Sequence, residues 1–139
     1  MSADKIKRQR DNAARLLQTG QAEQAARLLV RHCQKHRQDA EAWCLLGIAD
    51  GQLEKYKEAA YCFDKVLQLQ PQRAVVFYYL GRTHHMRDDL VAAIICFGLA
   101  VESSPEMYEA WFYMGNAYRT QGFREKAEAA YREALANKP

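Results

Sequence analysis

The 139 residues are 49% hydrophobic and 27% charged, with a formal net charge of +3 at pH 7. Such a chain is too apolar and too evenly charged for a disordered tail, and long enough to bury about 68–70% of the surface it would expose unfolded. Seven glycines and three prolines are few for a turn-rich β protein, while good helix formers are plentiful, so composition favours helix.

The first ten residues, Met1 to Arg10, have the basic charge of a secretory leader's start, but no apolar run follows them. The longest apolar stretch, Leu90 to Phe97, is far too short to span a bilayer, so no membrane association is expected. Cys33, Cys44, Cys62 and Cys96 include no Cys-x-x-Cys pair. In a helical chain without an export signal they read as reduced, buried thiols, and the expected compartment is the cytoplasm.

Along the chain the organising feature is a step of 34 residues. Pro71, Pro105 and Pro139 are spaced by it. So are the columns Trp43/Phe77/Trp111, Leu46/Leu80/Met114, Gly47/Gly81/Gly115, Ala59/Ala93/Ala127, Phe63/Phe97/Tyr131 and Val66/Ala100/Ala134. A weaker copy precedes them at about residues 6–39, with Ala13, Ala25 and Leu29 in phase but Gln9 and Arg37 in place of the ring and the proline. An atypical first unit is expected where water replaces a neighbour. The units are thus 6–39, 40–73, 74–107 and 108–139, in one domain covering residues 1–139.

Each unit carries two apolar runs at helical spacing, such as Trp43, Leu46, Gly47 and then Ala59, Phe63, Val66. The small columns let paired helices approach closely, and the rings fill the wider parts of the wedge. Each proline stops its second helix and turns the chain back. One pair cannot bury its own apolar face, so pairs stack.

Trp43-x-x-Leu46-Gly47, Ala59-x-x-x-Phe63 and Pro71 resemble the tetratricopeptide repeat, as do Trp111-x-x-Met114-Gly115-x-x-Tyr118, Ala127-x-x-x-Tyr131 and Pro139. Asp50 and His84 depart from the pattern where its tyrosine stands in Tyr118. The resemblance implies an all-α, right-handed α-solenoid of about four helix pairs, with the first helix of each pair lining a concave face.

Carried over by register, that face holds the columns Arg10/Cys44/Tyr78/Phe112, Asp11/Leu45/Tyr79/Tyr113 and Ala14/Ile48/Arg82/Asn116. The expected partner-binding residues are therefore Leu45, Ile48, Tyr78, Tyr79, Arg82, Phe112, Tyr113 and Asn116. Amphipathic rings beside an arginine suit a recognition surface, although the same rings also serve packing between repeats. Some relatives grip a terminal carboxylate with lysines and asparagines, and others carry an asparagine ladder. Cys44, Leu45, Ile48, Tyr79 and Tyr113 occupy those places here, so an apolar, extended or helical segment is the better ligand.

Catalytic and cofactor chemistry finds little support. His32 and His36 lie one turn apart beside Cys33, but no second pair of ligands accompanies them, and the expectation is a partly exposed helix with no metal. Cys62 and Cys96 share a column and read as structural thiols. Asp88 and Asp89 read as solvated charge in a turn. Residues 1–39 carry nine Lys/Arg against four Asp/Glu, which suits a solvated end cap better than a nucleic-acid site. At the other end Leu135 and Met114 are expected to be partly bare, offering a route to self-association, with Glu128 softening the face.

The function expected is a non-enzymatic scaffold without a cofactor, binding a protein or peptide in the groove. The alternatives are the recognition arm of a larger glycosyl-, sulfo- or methyltransferase, or a small chaperone that holds an apolar segment.

Overall fold

Each 34-residue step becomes two helices. The computed structural model describes residues 2–139, and among these there are eight helices and no strand. They are α1 (Ala3–Gln18), α2 (Ala22–Lys35), α3 (Ala40–Gln52), α4 (Tyr56–Leu69), α5 (Ala74–Met86), α6 (Leu90–Ser103), α7 (Tyr108–Thr120) and α8 (Arg124–Asn137). The all-α class is as the sequence predicts. No helix among the described residues is long and apolar enough to cross a membrane.

Local chemistry sets the helix starts. The Ser2 side chain accepts the Lys5 N–H at 3.2 Å, so α1 begins three residues ahead of the repeat register. Asp39 Oδ1 accepts the Ala42 N–H and Asp89 Oδ1 accepts the Ala92 N–H, each at 3.2 Å, at the starts of α3 and α6. Asp89 is thus a helix cap rather than simple turn charge. An N-cap of this kind is worth about 1 kcal/mol.

The turn inside each pair is the same four times over. Gly20, Glu54, Asp88 and Gly122, again 34 residues apart, all take left-handed φ, between 60° and 86°. The next residue then reaches back five positions: Gln21 N to Leu16 O, Lys55 N to Asp50 O, Asp89 N to His84 O and Phe123 N to Tyr118 O, at 2.8–2.9 Å. This is the Schellman closure, which also favours side-chain contact between the two bonded positions. In the last pair that contact is apolar, with Tyr118 and Phe123 ring centroids 6.4 Å apart. In the second pair the residue in the tyrosine's place, Asp50, instead accepts from Cys62 Sγ on α4 at 3.8 Å. Asp50 is buried, and burial pushes its carboxyl pKa up while the charge of Lys55 pulls the other way. The departure from tyrosine at residue 50 therefore keeps the turn and exchanges its side-chain contact.

Between pairs, Gln70 and Ser104 leave the helical region with φ near −136° and ψ near 81°, as a following proline requires. The Trp43 indole N–H donates to Arg37 O and that of Trp111 to Pro105 O, both at 2.8 Å, fastening the next helix to the turn before it.

The helices form two compact units, one ending at Pro71 and the other running from Gln72 to Pro139. In the first, α3 packs on α1 and α2 around Ala25, Leu29, Cys33, Ala42 and Leu46. One carboxylate draws all three helices together. Asp39, the α3 cap, has its Oδ2 2.8 Å from His32 Nε2 on α2 and 3.3 Å from Arg10 Nε on α1, while His32 Nδ1 faces Gln9 Oε1 at 3.2 Å. His32 is only 7% exposed, which corrects the expectation of a partly exposed histidine pair. Burial, with the Asp39 charge adding to it, pushes the Cys33 thiol up to about 12; burial and Asp50 push Cys62 up as well. Both thiols stay protonated and weakly nucleophilic.

In the second unit α7 lies on α5 and α6 around Tyr78, Phe97, Ala110 and Met114. Met114, expected to be partly bare, is buried because it points into this core rather than outward. In both units the small column meets the ring column. A Cβ on Gly47 would fall 2.7 Å from Phe63, one on Gly81 2.7 Å from Phe97, and one on Gly115 2.6 Å from Tyr131.

Two outcomes follow for chemical denaturation. Glu54→Gly relieves the left-handed strain and raises stability by about 0.5–1 kcal/mol. Gly81→Ala forces a methyl into the buried Phe97 ring and lowers stability by about 1–3 kcal/mol, whereas Gly98→Ala, with nothing within 4 Å of the new carbon, raises it by about 1 kcal/mol.

Candidate interaction surface

Helical spacing puts Tyr78 and Arg82 one turn apart on α5, where an arginine reaches back along its own helix. Arg82 Nη1 donates to Tyr78 Oη at 3.3 Å. Its guanidinium carbon lies 4.6 Å from the Tyr113 ring centroid on α7 and 5.7 Å from that of Tyr78. Tyr78 and Tyr113 are themselves 5.8 Å apart, and Tyr113 stacks on Phe97 at 6.4 Å with planes 22° apart. A cation held over a ring is worth about 0.5–1 kcal/mol at an exposed site. The arrangement thus fixes Arg82 before anything binds. Burial pushes the Tyr78 hydroxyl pKa up, against the pull of Arg82, so it stays a neutral acceptor at physiological pH.

Of the expected residues, six stand in the second unit and do not all share one role. Tyr78 is 9% exposed and lies beneath the surface, holding Arg82 from below. Tyr79 and Tyr113 are half-buried and Arg82 is exposed; these form the accessible part of the α5–α7 face, with Tyr79 5.4 Å from Tyr78. Asn116 accepts the Tyr131 hydroxyl at 2.5 Å, a contact that ties α7 to α8. Phe112 leans the other way, with Tyr113 at 5.4 Å and Tyr131 at 5.9 Å, over the outer side of the last pair. Leu45 and Ile48 stand half-buried on α3 of the first unit, and Leu45 packs against that unit's core.

Single-residue motifs miss a further surface on α6. Val91, Ile95 and Leu99 recur at four-residue steps along its outer side, and the first two are 62% and 59% exposed. The same places hold Lys57, Tyr61 and Lys65 in α4, Glu23, Arg27 and Arg31 in α2, and Glu125, Ala129 and Glu133 in α8. Comparison down the columns reveals the stripe, because α6 alone has no charged residue there. Exposed apolar surface of this kind marks interaction sites more often than not. Ile95→Lys is expected to change stability by no more than about 0.5 kcal/mol in urea denaturation and to reduce light scattering at high concentration; a larger loss of stability would show that Ile95 is packed.

The tetratricopeptide repeat family matches residues 40–73 and 108–139, the second and fourth units. Solved structures share the fold. A crystal structure of MamA superposes with a TM-score of 0.90 at 20% identity, over 95% of this chain and 77% of that one. A second MamA structure, "MamA MSR-1 C2", gives 0.83 at 21% identity over 99% and 80%. The O-GlcNAc transferase of Thermobaculum terrenum, as its K341M mutant, gives 0.78 at 24% identity over 85% of this chain but only 23% of its own. No curated protein matches the sequence.

Proposed function

Since the chain belongs to the tetratricopeptide-repeat family, whose members are interaction modules, we propose that it is a non-enzymatic scaffold holding a segment of another polypeptide against the α5–α7 face. The observation that carries this reading is the Arg82 guanidinium, hydrogen-bonded to Tyr78 and laid over Tyr113. Side chains ordered in advance lose less freedom on binding, and aromatic rings beside an arginine are the residue types that dominate binding energy at interfaces. The ligand is an apolar segment, extended or helical, with a backbone carbonyl or other acceptor placed for Arg82. Tyr79 and Tyr113 supply contact area; Tyr78 and Asn116 act by positioning. A reducing, cytoplasmic setting suits four buried thiols, none of them paired in a disulfide.

The test leaves the core untouched. A photoreactive phenylalanine at Tyr79 or at Arg82 is expected to crosslink one discrete polypeptide in lysate, while the same residue at exposed Glu125 on α8 does not. Crosslinking of equal yield and pattern at all three positions would remove the assignment of the face.

A further inference from the structure

Within the first unit, α2 and α4 each pack against α3 without meeting one another. A groove of about 310 Å³ runs between them. Cys33 and Leu46 are buried at its floor, and the half-buried Trp43 indole forms part of its wall. Val30 on α2 and Tyr61 on α4 stand at the rims, 43% and 57% exposed. Tyr61 meets Trp43 edge to face, with ring centroids 6.1 Å apart. The groove lies between consecutive helix pairs and not on an end face.

The charge of the groove selects its ligand. Arg37 and Lys65 line it, and among the described residues no Asp or Glu does. Neither cation is paired with a described carboxylate; the Lys65 ammonium lies 5.5 Å from the Tyr61 ring centroid. These three residues are particular to this step of the repeat. One and two steps on, Arg37 gives way to Pro71 and Pro105, Tyr61 to Ile95 and Ala129, and Lys65 to Leu99 and Glu133. Trp43 and Leu46 stand in columns that stay apolar and answer to packing, whereas no packing demand explains the other three. Ligand pockets run from about 300 to 1,000 Å³, so this groove has room for one or two large side chains and not for a whole helix. An apolar floor beneath two unpaired cations suits an apolar side chain delivered between carboxylates.

We propose that the α2–α4 groove receives an acidic segment of a partner polypeptide: one large apolar or aromatic side chain enters against Trp43, Tyr61 and Leu46, and carboxylates flanking it meet Arg37 and Lys65. A second copy of this chain does not bring that combination. Of its other exposed rings, Phe112 has no charged residue within two positions, and Phe123 adjoins Arg124 and has Lys126 Nζ 5.3 Å from its centroid. Stacked nucleobases need open ring faces, whereas Trp43 and Tyr61 stand edge to face and Lys65 covers Tyr61. The groove shares no residue with the Arg82 face, so each reading stands or falls without the other.

The probe is a fluorescein-labelled peptide in which one tryptophan stands between paired glutamates. Fluorescence anisotropy with the full chain is expected to show saturable binding, weakened at least about tenfold by Arg37→Glu or Tyr61→Ala in the protein, or by serine in place of the peptide's tryptophan. Lys7→Glu makes the same change of charge at an exposed place on α1 and leaves the affinity within about twofold, which separates the groove from the general basic charge of the first unit. Arg37 and Tyr61 are both exposed, so their substitution leaves the circular dichroism unchanged. Absence of saturation, or binding indifferent to Arg37→Glu and Tyr61→Ala, would overturn the proposal. So would a single-stranded oligonucleotide that displaces the peptide and itself fails to bind Tyr61→Ala, or a wild-type dimer that Arg37→Glu converts to a monomer, since these give the groove to a nucleic acid or to a second copy.

Discussion

The structure depends on a contact between an absent side chain and a present ring. At residues 47, 81 and 115 the first helix of a pair has no Cβ, and the ring of Phe63, Phe97 or Tyr131 occupies the space. The two helices of each pair thereby approach more closely than ordinary side chains permit, and the ring reaches the core instead of standing off from it. The first pair solves the problem with smaller pieces. Ala13 faces Leu29, and neither a glycine nor a ring is needed. Other features follow from this spacing: the left-handed turn that closes each pair, and the indole bonds that set where the next pair begins.

The fold was legible because these demands recur at one interval. Seven columns carried the helix boundaries, and the helices start within three residues of the register. Capping was the weaker part, since Asp39 and Asp89 cap only through the conformation of their own turns. Asp39 also gathers His32 and Arg10 from two other helices, a convergence that no local spacing encodes. The histidine pair therefore looked like an accident of an exposed helix, while one member is a buried polar link.

The candidate interaction surface was legible only in part, for a physical reason. Register places a residue on a helix face, but adjacent columns differ by 100° of rotation, and that angle separates a ring in solvent from a ring in the core. Tyr78 and Tyr79 are neighbours in sequence, yet the first supports the surface and the second forms part of it. Phe112 follows Tyr78 in its column and is nonetheless exposed, because none of the eight described helices lies over it as α7 lies over Tyr78. Burial here depends on what lies alongside, and a column of identities does not contain that information.

Repeats also sharpen the reading of what departs from them. A position held constant through several units answers to packing, so its chemistry says little about partners. Information about binding resides where one unit breaks with its sisters under the same local geometry. Val91, Ile95 and Leu99 stand where α2, α4 and α8 carry mostly charged or small side chains, and no core contact requires the change. Gly98 adjoins that stripe, and its missing Cβ leaves space that nothing in the chain fills. A glycine inside a helix costs about 1 kcal/mol relative to alanine. At residue 81 that cost is offset by the Phe97 contact; at residue 98 no internal contact offsets it. The two glycines are alike in sequence and opposite in physical meaning, and only the surroundings of the absent side chain distinguish them.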